Sequence, residues 1–270
     1  RDMAESYDAI VIGAGVIGCC TSFELAKAGY RVLTVDRNPS AGYGSTSASC
    51  AIIRTYYSVI DSCALAYEGW FHWKDWAAYI GGEDPRGMIE YRDVGCLVTK
   101  TEQNGELKSV LAMMDEIGCP YEHLTPDAMK ARLPFLDLRR YGPAKAAEDP
   151  DFGAPTGDAI PGGVFFPRGG YVNDPGLAAR NAEFAARREG ADLLFNADVA
   201  DIRQANGRIA GITLADGRRF DAPVVVNVAG PHSSKINRMA GQHDAMRMKT
   251  RALRHEVAHA PAPPGFDFGR

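Results

Sequence analysis

Three glycines and one acid are the first residues whose types and spacing could do chemistry. Gly13, Gly15 and Gly18 give the pattern G-x-G-x-x-G directly after Ala9–Ile12, a run of four apolar residues with no wet face that reads as a buried parallel strand. At a strand-to-helix turn the first glycine permits the tight turn and the second lets backbone approach a pyrophosphate. The third lets the helix pack closely on the sheet. The helix, expected over Gly18 to Ala28, points unpaired amides and the positive end of its dipole at bound phosphate. Gly29 ends it, and a second strand from Tyr30 to Val35 delivers Asp36 at its carboxyl end. There a carboxylate can accept both hydroxyl hydrogens of an adenosine ribose, so the stretch implies an ADP-containing dinucleotide. Asp36 argues for an unphosphorylated ribose, although Arg37 beside it is of the type that sometimes accompanies a ribose phosphate. This motif by itself does not choose between a nicotinamide and a flavin dinucleotide.

Other chemistry-bearing residues follow. Asn38 to Ser49, NPSAGYGSTSAS, is polar and small; its amides and hydroxyls suit wrapping a phosphate or flavin, and equally an ordinary surface loop. Arg54 stands after Ala51 to Ile53 and before Thr55, Tyr56 and Tyr57. Near the far end, VVVNVAGPHSS over Val224 to Ser234 brings His232, Ser233 and Ser234 to a turn where a polar cofactor edge can lie. The six cysteines, Cys19, Cys20, Cys50, Cys63, Cys96 and Cys119, have neither CxxC nor zinc-like spacing, so no metal site is expected and a reducing cytoplasm is the plain reading.

The elements that must position these residues can be read in outline. With 270 residues the chain is long for one domain, and two are expected. A net charge of -4 with both signs mixed offers no basic stripe for nucleic acid and no polybasic membrane patch. No apolar run is long enough for a membrane span, and the start of the chain reads as carrying no signal peptide. Ile60 to Tyr79 reads as one long helix whose Leu65, Trp70, Phe71, Trp73 and Trp76 form an aromatic face, more simply core than binding platform. Val94 to Thr99 reads as a strand, Gly105 to Ile117 as a helix, and Thr125 with Pro126 as a helix start. Pro134 to Gly163 is rich in proline, glycine and charge; it is either a functional insertion or a set of short elements that pattern does not reveal. After a strand at Val164 to Phe166, Asp174 and Pro175 introduce a helix from Gly176 to Glu189. Strands at Leu193 to Asn196, Val199 to Gln204, Ile209 to Leu214 and Arg219 to Phe220 follow, with Asn206-Gly207 and Asp216-Gly217 as turns of a small antiparallel meander. Ala222 to Ala229 reads as a third buried parallel strand, and Ala252 to Val257 as one more strand.

With these residues in view the sequence resembles the amine-oxidising flavoproteins of the glycine and sarcosine oxidase type, grouped with D-amino-acid oxidase and the dimethylglycine and sarcosine dehydrogenases. The resemblance spans nearly the whole chain. It rests on the Gly13, Gly15, Gly18 and Asp36 set, Gly44 to Arg54, Gly170 to Pro175, the meander, and Val224 to Ser234. It implies an α/β fold: a Rossmann-like FAD-binding domain with an antiparallel-sheet substrate domain, apparently truncated at the C-terminus. The expected division is 1–80 and 171–240 for the FAD-binding domain, 81–170 for the substrate domain, and 241–270 for the start of a return into it.

The resemblance also implies FAD-dependent oxidation of the C–N bond of an amino acid or N-methyl amino acid to an imine. FAD would lie with its pyrophosphate at Gly13, Gly15, Val16 and Gly18, and its ribose at Asp36 and Arg37. Gly44, Ser45, Thr46 and Ser47 would give backbone and hydroxyl contacts, Val199 would lie beside the adenine, and Ala229 and Gly230 near the pyrophosphate or isoalloxazine. Arg54 matches the arginine that grips the substrate carboxylate in monomeric sarcosine oxidases. Ala51 replaces a second arginine found in some of them, which weakens a claim for that one substrate. No tryptophan-histidine pair precedes an alanine around Ser45 to Cys50, and the cysteine used for attachment in sarcosine oxidases lies far downstream of Cys50, so FAD is expected to be non-covalent. His255 and Glu256 are given structural or interface roles. Relatives run on beyond the equivalent of Arg270 to a further flavin-contacting segment, so a second polypeptide or C-terminal fragment is the expected partner besides the small-molecule amine. The alternative is an FAD-binding subunit or fragment of a multi-chain amine dehydrogenase.

Overall fold

The computed structural model describes residues 5–258 together with 261, 264 and 265. They fall into two units. The first takes the residues to Ala51, then Asp75–Tyr91 and Val172–Ala258; the second takes Ile52–Lys74 and Arg92–Tyr171. The segment from Ile52 to Lys74, grouped with the nucleotide-binding part on sequence grounds, therefore lies in the second unit.

At the centre of the first unit is a four-stranded, all-parallel sheet. Its order is Asp192–Leu194, Val32–Val35, Ala9–Ile12, Val224–Asn227. Ile10 pairs with Leu33 on one side and Val225 on the other, and Ile12 with Val35 and Asn227. Both central strands are buried along their whole length because both faces are covered, which is why their sequences show no polar alternation. Helices Val16–Lys27 and Pro175–Arg188 pack against each other on one face. Ala178, Ala179, Ala182, Ala185 and Ala186 keep that approach close, and Thr34 Oγ1 of the sheet donates to Ser22 Oγ of the first helix at 2.8 Å. On the other face Ile10, Ile12, Leu33 and Val35 share a core with Val199, Ile202, Ile212, Leu214 and Phe220 of the meander.

The meander runs Val199–Ala205, Arg208–Leu214, Arg219–Asp221, with Glu5–Ser6 added in parallel at its edge. Asn206 and Gly207 both have positive φ (+52° and +73°), the conformation a two-residue hairpin turn requires. Asp174 caps the second helix by accepting from the Leu177 amide at 2.8 Å, and Pro175 takes its first position.

The second unit is antiparallel. Cys96–Thr99 and Glu122–Leu124 flank Gly163–Phe166, and helices Ile60–Lys74 and Lys108–Ile117 pack together. Their core comprises Cys63, Leu107, Leu111, Met114, Cys119, Val164 and Phe166. Ile52–Ile53 pairs antiparallel with Gly170 and Tyr171.

Three expectations change, and one alternative left open is decided. The long aromatic helix is two helices, Ile60–Lys74 and Trp76–Ile80, broken at Asp75, whose carboxylate accepts from the Ala78 amide to cap the second. The break is where the chain passes between units, so Trp70 and Trp76 are buried in different units, while Leu65 is 75% and Phe71 50% exposed. The helix expected from Gly105 begins at Lys108 instead, because Glu106 and Leu107 have positive φ. The proline-rich connector contains a short ladder, Arg139–Arg140 with Gly157–Ala159, too brief and too charged to show a period. Residues 252–257 take no regular element.

Candidate functional site

The glycines of the first turn are fixed by backbone collisions. Gly13 has φ +114°, and a Cβ there would lie 2.4 Å from the carbonyl oxygen of Val228, at the exit of the neighbouring parallel strand. A Cβ on Gly18 would sit 1.8 Å from the Gly13 carbonyl oxygen. The helix thus starts directly against the strand end, an approach that side chains would prevent. Gly15 is the helix cap, and a Cβ there would meet only the Thr46 hydroxyl, at 3.1 Å.

The loop after Asp36 closes over this turn. Gly42 donates its amide to Ala14 O at 2.8 Å, and Thr46 Oγ1 accepts from the Val16 amide at 3.1 Å. Asp36 accepts from the Ala14 amide at Oδ2 (2.7 Å) and from the Asn38 amide at Oδ1 (2.8 Å). Each oxygen keeps a lone pair for a further donor such as a ribose hydroxyl. From the other side, Arg37 donates to His232 Nε2 at 2.8 Å; a guanidinium has only donors, so the imidazole nitrogen is the acceptor.

These groups enclose a cavity of about 260 Å³ at the carboxyl ends of the parallel strands. In parallel sheets ligands bind at this end. Of the residues singled out by sequence, the cavity brings together Gly13, Gly15, Val16, Gly18, Asp36, Arg37, Gly44, Ser45, Thr46, Val199, Ala229 and Gly230. Ser47 is not among the lining residues; its Oγ donates to Gly42 O at 2.5 Å. Asn38, Asp198, His232 and Lys235 also line it and were not singled out as site residues. For His232 the signal was the polar turn after the third strand; Lys235 lies on the helix Ser233–Met239, whose sequence carries no such cue.

Arg54 belongs to the second unit, just after the strand Ile52–Ile53. It is exposed and lies over the rings of Tyr57, at 4.7 Å to the centroid, and Tyr56, at 5.3 Å. Partial burial would lower its pKa, but the oxygens of Tyr57 and Tyr56 outweigh this and raise it. Its positive charge is secure.

The family model described as FAD dependent oxidoreductase matches residues 8–269. The chain belongs to that family. A curated relative is sarcosine oxidase subunit beta of Rhizobium meliloti (strain 1021), 29% identical over 241 residues, which are 89% of this chain and 53% of the relative. Another is the tRNA 5-methylaminomethyl-2-thiouridine biosynthesis bifunctional protein MnmC of Paraburkholderia phytofirmans, 28% identical over 94% of this chain and 34% of that protein. The chain therefore spans about a third to a half of the length of these relatives. Among solved structures, L-proline dehydrogenase from P. horikoshii superposes with a TM-score of 0.72 at 23% identity, covering 88% of this chain and 57% of the other, a likeness of fold.

The cavity suits the family's cofactor on its own chemistry. A side-chain-free turn, the start of a helix, a carboxylate with spare lone pairs and two hydroxyl residues are what the ADP part of FAD requires. Among the described residues no helix is long and apolar enough to cross a membrane, and no cluster of metal-ligating side chains occurs.

Proposed function

We propose that the chain binds FAD non-covalently in this cavity and takes part in oxidising the C–N bond of an amino acid or N-methyl amino acid to an imine. The observation that carries the cofactor half is the glycine cradle ending in Asp36, where backbone alone leaves room for a pyrophosphate. Gly13, Gly15, Val16 and Gly18 would hold the pyrophosphate, with Ala229 and Gly230 bordering it. Asp36 would accept from the ribose, Arg37 would flank it, and Val199 would border the adenine. Gly44, Ser45, Thr46 and Ser47 would supply amide and hydroxyl contacts from the loop. Bound flavin supplies the redox chemistry, accepting a hydride equivalent from the carbon next to nitrogen. The chain supplies position and charge.

Arg54 would hold the substrate carboxylate, because a planar guanidinium makes paired, charge-assisted bonds that fix a small acid's orientation. The names sarcosine oxidase and glycine oxidase among relatives support an amino-acid substrate. The six free cysteines support a reducing, cytoplasmic setting. Anaerobic mixing of the FAD-loaded protein with a panel of primary and secondary amino acids tests the reading: bleaching of the flavin's visible band is expected, and an unchanged spectrum across the panel would overturn it.

A second reading has its own support. The Rhizobium relative is named as a subunit, and this chain spans 53% of it. On that reading the chain is the FAD-binding part of a multi-chain amine dehydrogenase, and a partner polypeptide completes the catalytic residues. FAD retention without bleaching, restored by adding a co-purifying partner, would favour it.

A further inference from the structure

We propose that Tyr57 is the positioning residue of the Arg54 carboxylate site, holding the guanidinium by its face so that its edge is presented to a small amino acid. The inference rests on the reading of Arg54 as the carboxylate clamp. The Tyr57 ring lies nearer to the guanidinium than Tyr56 does, 4.7 Å against 5.3 Å. A guanidinium over an aromatic ring is attracted through its π face, and although the Tyr57 and Tyr56 oxygens also act on Arg54, its five N–H donors outnumber them, leaving donors for a carboxylate. Among the described residues Arg54 makes no ion pair, so those donors are not taken by a protein acid.

The platform under Arg54 is anchored. Tyr57 donates its amide to Cys63 Sγ at 3.2 Å, and the Cys63 thiol lies 3.4 Å from the Tyr57 carbonyl oxygen. Cys63 is fully buried in the helix Ile60–Lys74, so the Tyr57 backbone is pinned to a core element. Tyr56 is tied differently: its ring stacks on Phe166 at 4.6 Å and 26°, and Phe166 is itself fully buried. Tyr56 therefore serves packing as well as Arg54, while Tyr57 is 38% exposed and its ring lies against Arg54. Holding a flexible arginine in its bound geometry before the ligand arrives lowers the ordering cost of binding.

The test is an equilibrium titration of the FAD-loaded protein with sodium acetate and with sodium propionate, small carboxylates that carry no oxidisable C–N bond, followed by ligand-observed NMR. Tyr57→Leu should weaken both by roughly 3- to 10-fold, the range of a partly exposed cation–π contact. Tyr57→Phe keeps the ring and should bind like wild type, and the urea midpoint of each variant checks that folding is unchanged. Arg54→Lys should weaken both ligands more than Tyr57→Leu does. If Arg54→Lys binds as tightly as wild type, or wild type binds neither ligand, the Arg54 reading falls and this inference with it. If Arg54→Lys loses binding while Tyr57→Leu does not, the Tyr57 role alone is overturned. A loss in Tyr57→Phe equal to that in Tyr57→Leu would assign the effect to the hydroxyl and also overturn it.

Discussion

The glycine turn of the first unit and the Arg54 segment of the second are built in opposite ways. In the first, backbone atoms define the site: Gly13 and Gly18 are required because carbonyl oxygens lie where their Cβ atoms would go. In the second, one exposed side chain on a short irregular segment would define the site, and its geometry depends on two tyrosine rings. A site made by backbone tolerates almost no substitution at its glycines but is indifferent to many side chains around it. A site made by a side chain is lost with that side chain, while the fold survives.

The largest effect should come from Gly18→Ala. Its methyl would stand 1.8 Å from the Gly13 carbonyl oxygen, a collision with backbone rather than with a movable side chain. Backbone must move, so a destabilisation of about 3–5 kcal/mol is expected, within the range reserved for severe core lesions. A urea unfolding midpoint and the FAD content of the purified protein measure it. Retention of both would break the account of the turn.

Two substitutions should separate the regions. Arg54→Lys is expected to raise the KM for an amino acid at least tenfold, since an ammonium loses the paired fork, while FAD content stays at the wild-type value. Asp36→Asn should do the reverse. It should weaken FAD by about 10- to 100-fold, the worth of hydrogen bonds to a charged acceptor, and leave the KM of the loaded fraction unchanged. Fluorescence titration of apoprotein with FAD and steady-state kinetics of the loaded form read the two effects independently. A loss of FAD in Arg54→Lys would mean that this comparison is drawn wrongly.

A smaller contrast concerns two aspartate–arginine pairs. Asp84, in the first unit, has no exposed side-chain surface and accepts from Arg86 at both oxygens and from Asn181 Nδ2 at 3.1 Å. Burial alone would raise its pKa, but the bonds from Arg86 and Asn181 outweigh this and hold it below the usual carboxylate value. A depressed folded-state pKa contributes stability that is present above the unfolded value of about 3.9 and is lost as pH falls through the folded one. Asp84→Asn should cost on the order of 1–2 kcal/mol at neutral pH, limited because Arg86 is half exposed, and should flatten the loss of stability below about pH 4. Asp137 of the second unit is also held low by Arg139 and Tyr141, yet that cluster lies in solvent, and Asp137→Asn should leave the urea midpoint unchanged.

What could be read from sequence follows the same division. Ala9–Ile12, the glycine spacing and Asp36 were legible because buried parallel strands and tight turns restrict residue type at every position. The turns at Asn206-Gly207 and Asp216-Gly217, and the Asp174-Pro175 helix start, were legible for the same reason. Arg54 had no local signal; only resemblance singled it out, since one arginine after a short apolar run has many ordinary uses. The break at Asp75 was hidden because aromatic residues continue on both sides of it, Trp70 buried in the second unit and Trp76 in the first. His232 and Lys235 reach the cavity from a turn and helix that come almost two hundred residues after Arg37, a tertiary meeting that no local pattern encodes.

Gly44→Ala should give the smallest effect on the fold and the most pointed reading of the cavity. Gly44 lines the cavity, but a Cβ there meets no protein atom within 4 Å, and its φ is not positive. The methyl therefore costs the folded protein within about 0.5 kcal/mol. If the loop wraps the cofactor by backbone, the same methyl intrudes on bound FAD and should weaken it by about fivefold, on the order of 1 kcal/mol of overpacking. Unchanged FAD affinity would show that Gly44 borders the cavity without approaching the cofactor. The backbone-built site would then end at the turn Gly13–Gly18, with the Thr46 hydroxyl as the loop's contribution to it.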